Sequence, residues 1–130
     1  MDYRVEYIEK PDHLVAVLSG IRTPATLVAA AAAVASYCTE RSINEVLIDV
    51  RQMRGELNTL ETYDVAGRSI PDQPGIREIG RGAILDHPTN LDRIRFFETV
   101  AVNRGLTVKV FDDEDLAVAW LRQGASNRPG

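Results

Sequence analysis

Charged and polar side chains gather at four points where a strand-like segment gives way to a helix-like one. The carboxyl ends of parallel strands meet at one edge of a sheet, and helices beginning there direct spare backbone N–H groups toward that edge. Arginine, which supplies nearly all the cations of this chain, adds planar donors for a carboxylate or phosphate. The pattern therefore predicts an anion-binding surface formed by Arg22, Thr23, Asp49, Arg51, Arg54, Asn58, Thr59, Asp86, His87, Thr89 and Asp112.

His87 is the one residue of this set that could act in proton transfer near neutral pH. Asp86 precedes it, but adjacent residues in a strand point to opposite faces of the sheet, so a partner must come from another segment. Asp49 and Asp112 follow other strands, and His87 with Asp49, Asp86 or Asp112 would suit a small hydrolase or isomerase. The alternative interpretation is that His87 is a turn residue ahead of Pro88.

Motifs for other chemistries are missing from the sequence. A metal site needs several converging ligands, whereas His13, His87 and Cys38 lie on separate segments. No serine has the sequence context of a nucleophile elbow. A glycine-rich phosphate loop precedes a helix, whereas Gly80-Arg81-Gly82 lies at the start of a predicted strand. We therefore expect no metal and no cofactor, and a non-enzymatic protein more than an enzyme.

The composition is that of one globular domain without a nucleic-acid partner. The 130 residues are 45% hydrophobic and 26% charged, and the net charge of −4 is the wrong sign for nucleic acid. A single cysteine, Cys38, excludes an intrachain disulfide and favours a reducing compartment. The N-terminus lacks a signal-peptide pattern, and the weakly polar run at residues 25–35 is too short to span a membrane. We therefore expect a cytoplasmic protein without stable membrane insertion.

The strands that must position the candidate residues follow from periodicity and turn signals. Alternation over residues 3–9, a turn at Pro11-Asp12 and an apolar run at 13–18 predict an N-terminal β-hairpin whose first strand lies at a sheet edge. Three more strands are predicted at residues 45–50, 79–85 and 107–111, with helices between them. This order predicts an α/β fold in which the hairpin leads into a mainly parallel five-stranded sheet with four helices.

Each helix is predicted from a start signal and an apolar stripe. The start signals are Thr23-Pro24, Asn58 with Glu61, Thr89 with Asp92, and Asp112. The stripe of the second helix comprises Leu60, Tyr63, Gly67 and Ile70, and that of the last helix comprises Leu116, Ala117, Trp120 and Leu121. We expect one domain over residues 1–123 and, because it has no apolar anchor, a flexible tail over residues 124–130.

The third helix has a wider apolar face than one sheet contact needs. Phe96, Val100 and Val102 lie beside its inner stripe of Leu91, Ile94, Phe97 and Ala101. Three interpretations stay open: a thicker core, a homodimer surface around Phe96 to Val102, and the wall of a lipophilic pocket.

The order of elements and the C-terminal segment resemble a known family. Val108-Lys109-Val110-Phe111-Asp112-Asp113, followed by Ala117-Val118-Ala119-Trp120-Leu121, is similar to the ending of the SpoIIAA-like proteins of bacteria. These belong to the wider STAS and CRAL-TRIO-related α/β group, and the resemblance runs from Tyr3 to about Arg122. It implies a small regulatory or ligand-binding domain, since some members bind nucleotides, lipids or partner proteins.

One regulatory feature of the resembling proteins is changed in this sequence. Their best-known members carry a phosphorylatable serine at the start of the helix after the third strand. The corresponding segment, Asp49 to Thr59, contains no serine, which argues against a phosphorylation cycle of that kind. Thr59 could accept a phosphate, which a helix N-terminus favours electrostatically, or it is an ordinary neighbour of a helix cap.

The leading functional hypothesis from the sequence is a non-enzymatic regulatory or ligand-binding module. It would recognise a partner protein, or a small anionic or lipophilic ligand, at the edge where the strands end. The alternatives are a small hydrolase or isomerase using His87 and a homo-oligomerisation module built on the third helix.

Overall fold

The computed structural model describes residues 3–127, which form a five-stranded sheet with helices on both faces. The strands are β1 Tyr3–Glu9, β2 Leu14–Ile21, β3 Glu45–Arg54, β4 Arg81–Leu85 and β5 Val108–Phe111. The α-helices are α1 Pro24–Arg41, α2 Thr59–Asp64, α3 Leu91–Asn103 and α4 Glu114–Asn127. A π-helical turn at Val65–Ser69 continues α2, and 3₁₀ turns occupy Ile76–Glu78 and Pro88–Asn90.

The strands lie side by side in chain order, from β1 at one edge to β5 at the other. β1 pairs antiparallel with β2, whereas β2 to β5 are parallel, which confirms the predicted hairpin and mainly parallel sheet. Because each parallel strand is added on the same side of the one before, right-handed crossovers place the intervening helices on one face. Only a helix after the last strand can then return over the other face, and α4 does so.

The core has two parts, one on each face of the sheet. Alternate strand residues point to opposite faces, so Leu14, Val46 and Ile84 pack under α1 and α3, whereas Val15, Leu47 and Leu85 pack under α4. Ala117 and Leu121 of α4 are fully buried in the second part.

Two of the predicted helix starts are confirmed. The Thr23 hydroxyl accepts a hydrogen bond from the Thr26 backbone N–H at 3.1 Å, and Pro24 is the first helical residue of α1. At α2, the Asn58 side chain accepts from the Glu61 N–H at 2.8 Å, and the Glu61 carboxylate accepts from the Asn58 N–H at 3.0 Å. Such caps satisfy backbone donors that have no partner inside the helix.

The other two predicted helix starts are wrong by one residue. Asn90 precedes α3, and Thr89 lies exposed in the 3₁₀ turn that Pro88 begins. At α4, the Asp113 carboxylate accepts from the Leu116 N–H at 3.0 Å, so Asp113 supplies the cap and Asp112 lies outside the helix.

The predicted apolar stripes of α2 and α4 are partly wrong. Leu60 and Tyr63 are 81% and 52% exposed, and Thr62 and Val65 are buried in their place. The π-helical turn takes more residues per turn than an α-helix, so the inward face of the segment departs from the α-helical spacing. In α4, Leu116 is 62% exposed because it lies in the first turn, beside the face that carries Ala117 and Leu121.

The last helix is longer than the sequence predicted. α4 continues to Asn127, so residues 124–127 of the predicted tail are helical, and residues 128–130 lie outside the described residues. A Cβ atom at Gly124 would lie 2.7 Å from Cδ of Arg81, so glycine allows this close approach. Arg81 in turn stacks on the Trp120 ring at 4.8 Å and donates to the Trp120 carbonyl at 2.8 Å, which anchors the helix on the sheet.

Candidate functional site

The sheet divides the predicted edge surface into two separate clusters. Asp49 on β3 lies in register with Leu85 on β4, and both side chains face α4. Asp86 is one residue further along and therefore points to the opposite face, under α1 and α3. The candidate residues thus form two sites on opposite sides of the sheet, where the sequence had indicated one surface.

An apolar cavity of about 150 Å³ lies between the sheet and helices α1 and α3. Ile48 gives the most direct sign of this cavity. Its side chain lies at the middle of the central strand, where full burial is expected, and is only half-buried. Gly82 on the neighbouring strand leaves further space, since it has no side chain. Other apolar residues lining the cavity are Leu18, Leu27, Ala30, Ala31, Val34, Val46, Val50, Leu57, Ile70, Ile76, Ile79, Ile84, Ile94, Phe97, Leu106 and Val108.

Polar residues line the cavity at the carboxyl end of the strands, and we call Arg22, Glu56, Asp86, Asn90 and Arg93 the pocket mouth. Nη2 of Arg22 donates to Asp86 at 3.0 Å and to the Val50 carbonyl at 3.0 Å. The side chains of Arg22 and Asp86 are 11% and 0% exposed, so this is a buried ion pair.

Asp86 is held by further hydrogen bonds. Its Oδ1 atom accepts from the His87 backbone N–H at 2.7 Å and from the Asn90 amide at 3.0 Å. With the Arg22 contact, both carboxylate oxygens are occupied by the protein itself. Arg22 has donors available for a ligand, because its Nε and Nη1 atoms make no hydrogen bond within residues 3–127.

Arg93 of α3 and Glu56 of the loop after β3 form an outer ion pair at the pocket mouth, and each side chain is 55% exposed. Neither residue was predicted from the sequence as a site residue, and Asn90 was not predicted either. The spacing of Asn90 four residues after Asp86, across a turn that begins with Pro88, was a usable signal. Nothing in the sequence paired Glu56 with Arg93, because that contact depends on how α3 crosses the sheet.

On the face of the sheet that α4 covers, the Arg51 guanidinium donates two hydrogen bonds to the Asp49 carboxylate. Nε and Nη2 of Arg51 lie 3.0 and 2.8 Å from the two carboxylate oxygens, and the Arg51 backbone N–H adds a third bond at 3.0 Å. Burial raises the pKa of Asp49, but these hydrogen bonds and the charges of Arg51 and His87 together lower it more, so the net pKa is below its ordinary value. Arg51 also reaches Glu114 at 3.4 Å and so joins β3 to α4.

His87 lies exposed beside this cluster, and its Nε2 atom is 3.2 Å from the Arg51 backbone carbonyl. Within residues 3–127, the ring makes no hydrogen bond to the carboxylates of Asp49, Asp86 or Asp112. Proton transfer needs such a contact, directly or through one water. The structure shows no direct bond of this kind, although the charge of His87 lies close enough to Asp49 to help lower the pKa of that carboxyl. The hydrolase or isomerase alternative stays a prediction. In the described part of the chain, no group of three or more histidine, cysteine or acidic side chains is placed to hold a metal.

The remaining predicted site residues are dispersed along the edge. The side chains of Thr23 and Asn58 are engaged in helix caps. Four others are exposed outside the pocket mouth, namely Arg54, Thr59, Thr89 and Asp112.

The apolar residues of α3 have different environments. Val100 belongs to the core, and Ile94 and Phe97 line the cavity. Phe96 and Val102 are 38% and 47% exposed, and six residues of helix place them about 120° apart around its axis. They therefore form no continuous face, and a homodimer through α3 stays a prediction.

Comparison with known proteins identifies the fold. The structure is similar to an anti-sigma factor antagonist from Mycobacterium paratuberculosis, with a TM-score of 0.60 and 14% identity over 92% of this chain and 94% of that one. It is also similar to an uncharacterised DUF3478-family protein with a SpoIIAA-like fold from Shewanella loihica, with a TM-score of 0.55 and 17% identity over 92% and 93% of the two chains. The fold is thus SpoIIAA-like, as the resemblance implied.

No protein-family model and no curated protein matches the sequence. Within residues 3–127, no helix is long and apolar enough to cross a membrane.

Proposed function

We propose that this protein is a binding module for a small ligand with an apolar body, held between the sheet and helices α1 and α3. The incomplete burial of Ile48 at the centre of the sheet carries this proposal. Protein interiors are normally close-packed, so a void under two helices marks either a binding site or a loss of stability. An engineered protein cavity of roughly the same volume binds benzene, which sets the size of the apolar group that this one suits.

The polar groups support binding more than catalysis. They lie at one end of an apolar cavity, the arrangement by which small-molecule sites orient a ligand. Asp86 accepts hydrogen bonds from Arg22, Asn90 and the His87 N–H and has no exposed side-chain surface, which suits a group that holds the pocket mouth in place.

Filling the cavity with a side chain tests the proposal. We expect Ile48→Trp to place an indole ring in the cavity and to weaken the binding of benzene-sized probes at least about tenfold, or by about 1.4 kcal/mol. Binding is measured by NMR chemical-shift titration with phenylacetate and phenylacetamide. The matched control is Ile8→Trp, the same change at a residue of β1 that is 40% exposed and does not line the cavity.

Three results would count against a ligand site. One is that no probe shifts the resonances of cavity-lining residues in the unmodified protein, even at millimolar concentration. Another is that Ile48→Trp binds as well as Ile8→Trp. Should Ile48→Trp unfold, Ala31→Leu narrows the cavity from α1 with a smaller change, and unaltered probe binding in that variant would contradict the proposal.

Recognition of a partner protein is the second candidate function, and the surface of α2 favours it. Leu60 and Tyr63 are 81% and 52% exposed and lie one helical turn apart, so they present an apolar surface on the helix that follows the Glu56 loop. One of the proteins with a similar fold is an anti-sigma factor antagonist, which is consistent with a regulatory role.

Cross-linking distinguishes a partner surface from an inert one. A photoreactive residue at position 60 is expected to give one discrete protein adduct in cells, and Tyr63→Ser is expected to remove it without lowering thermal stability. A photoreactive residue at Leu116, which is also 62% exposed, is the control. An adduct pattern common to both positions, or none at position 60, would exclude this surface.

A further inference from the structure

The two ion pairs of the pocket mouth differ in burial, and this difference points to the chemistry of the ligand. Arg22 and Asp86 are 11% and 0% exposed and form a fixed pair at the inner end of the mouth. Arg93 and Glu56 are each 55% exposed and form the outer pair. Exposed ion pairs contribute little to stability because water competes for both partners. The outer pair can therefore open readily, whereas the inner pair cannot.

The short loop between β3 and α2 places the Glu56 carboxylate at the pocket mouth. Gly55, just before it, has a φ angle of +81°, a backbone conformation that favours glycine and lets the chain turn out of β3 toward α2. Glu56 and Arg93 both line the cavity, so their ion pair lies against a space whose lining is mostly apolar.

Charge balance limits what can bind at this entrance. The pocket mouth holds two arginines and two carboxylates, so it is neutral while both ion pairs are formed. An acidic ligand that left Glu56 in place would add an uncompensated negative charge. An acidic ligand that displaced Glu56 into water would keep the balance, and it would find further donors on Nε and Nη1 of Arg22.

We propose that the Glu56 carboxylate occupies the place of a ligand carboxylate, and that the ligand is a small monocarboxylic acid. Its carboxylate would replace Glu56 on Arg93 and accept hydrogen bonds from Arg22, while its apolar body fills the cavity. A cavity of about 150 Å³ suits a body of roughly six to ten carbon atoms, such as an aromatic ring with a short side chain. This inference rests on the proposed binding function and adds the charge and size of the ligand to it.

A pair of nearly isosteric probes tests the inference. Phenylacetate and phenylacetamide differ in charge but hardly in shape, and both are titrated into the unmodified protein, Glu56→Gln and Arg93→Gln. We expect Glu56→Gln to bind phenylacetate about two- to fivefold more tightly, since a competing carboxylate is gone. We expect Arg93→Gln to bind it at least about fivefold more weakly, since a charge-assisted hydrogen bond is lost. The affinity for phenylacetamide should stay the same in all three proteins.

The outcomes separate this inference from the proposed function. If both probes bind the unmodified protein equally and neither variant changes the affinity for phenylacetate, the cavity is a binding site but the carboxylate inference is wrong. If neither probe binds, the proposed function fails as well. Tighter binding of phenethylamine than of phenylacetate would also overturn the inference, because the acidic groups would then be the recognition elements. Both variants change exposed side chains, so thermal unfolding is expected to match that of the unmodified protein and to verify folding.

Discussion

Arg22→Met is expected to lower the free energy of unfolding by about 3–5 kcal/mol, measured by urea denaturation at neutral pH. Methionine keeps much of the volume of the side chain but leaves Asp86 as a buried carboxylate without its cation. The carbonyl of Val50 also loses its contact with the guanidinium. Removing one partner of a buried pair costs more than the pair contributes, because the remaining charge stays out of water.

Two variants isolate the cause of that loss. Arg93→Met removes an arginine of the same pocket mouth from an exposed ion pair, so we expect a loss of at most about 1 kcal/mol. Combining Arg22→Met with Asp86→Asn removes the stranded charge and should recover part of the stability, giving a non-additive double-mutant cycle. A loss below about 1 kcal/mol for Arg22→Met would show that Asp86 is hydrated rather than enclosed.

Leu121→Ala is expected to lower the free energy of unfolding by about 2–5 kcal/mol, the range for removing a large side chain from a packed core. Leu121 is fully buried, and of the described helices α4 alone covers the second face of the sheet. No neighbouring helix can move in to fill the space above Leu47 and Leu85. The loss should therefore fall in the upper half of this range.

Leu116→Ala is the matched control, since it makes the same substitution in the same helix. Leu116 is 62% exposed, so we expect its replacement to change stability by less than about 0.5 kcal/mol. The sequence pattern had assigned both leucines to one core stripe. Equal effects of the two substitutions, measured by urea denaturation, would mean that α4 packs in a different rotation from that in the structure.

Several elements were predictable because their signals are local. The Thr23-Pro24 start of α1 and the reciprocal hydrogen bonds of Asn58 and Glu61 join residues within three positions of each other. Alternation in β1 and the apolar run in β3 likewise reflect which faces of each strand are buried. The start of α3 was displaced because Pro88 began a 3₁₀ turn, in which Asn90 turned its amide toward Asp86.

The candidate site was only partly predictable, since its contacts join distant parts of the chain. The sequence correctly indicated that Arg22, Asp49, Arg51, Asp86 and His87 reach the same edge, because parallel strands end together. It did not separate Asp86 from Asp49, which requires the register of β3 against β4. It offered a lipophilic pocket beside the third helix as one of three interpretations but could not place a cavity above Ile48, because a void depends on how far apart α1 and α3 lie.

The sequence by itself thus determined the order of the elements, the parallel sheet and the edge at which polar residues collect, since these follow from periodicity and from caps a few residues apart. Only the tertiary structure decided which of those residues meet. The alternation of side chains across β3 and β4 sent Asp49 to Arg51 under α4, and Asp86 to Arg22 at the mouth of an apolar cavity. The predicted edge is thus divided between an apolar cavity with a polar mouth on one side of the sheet and an ion-pair cluster that joins β3 to α4 on the other.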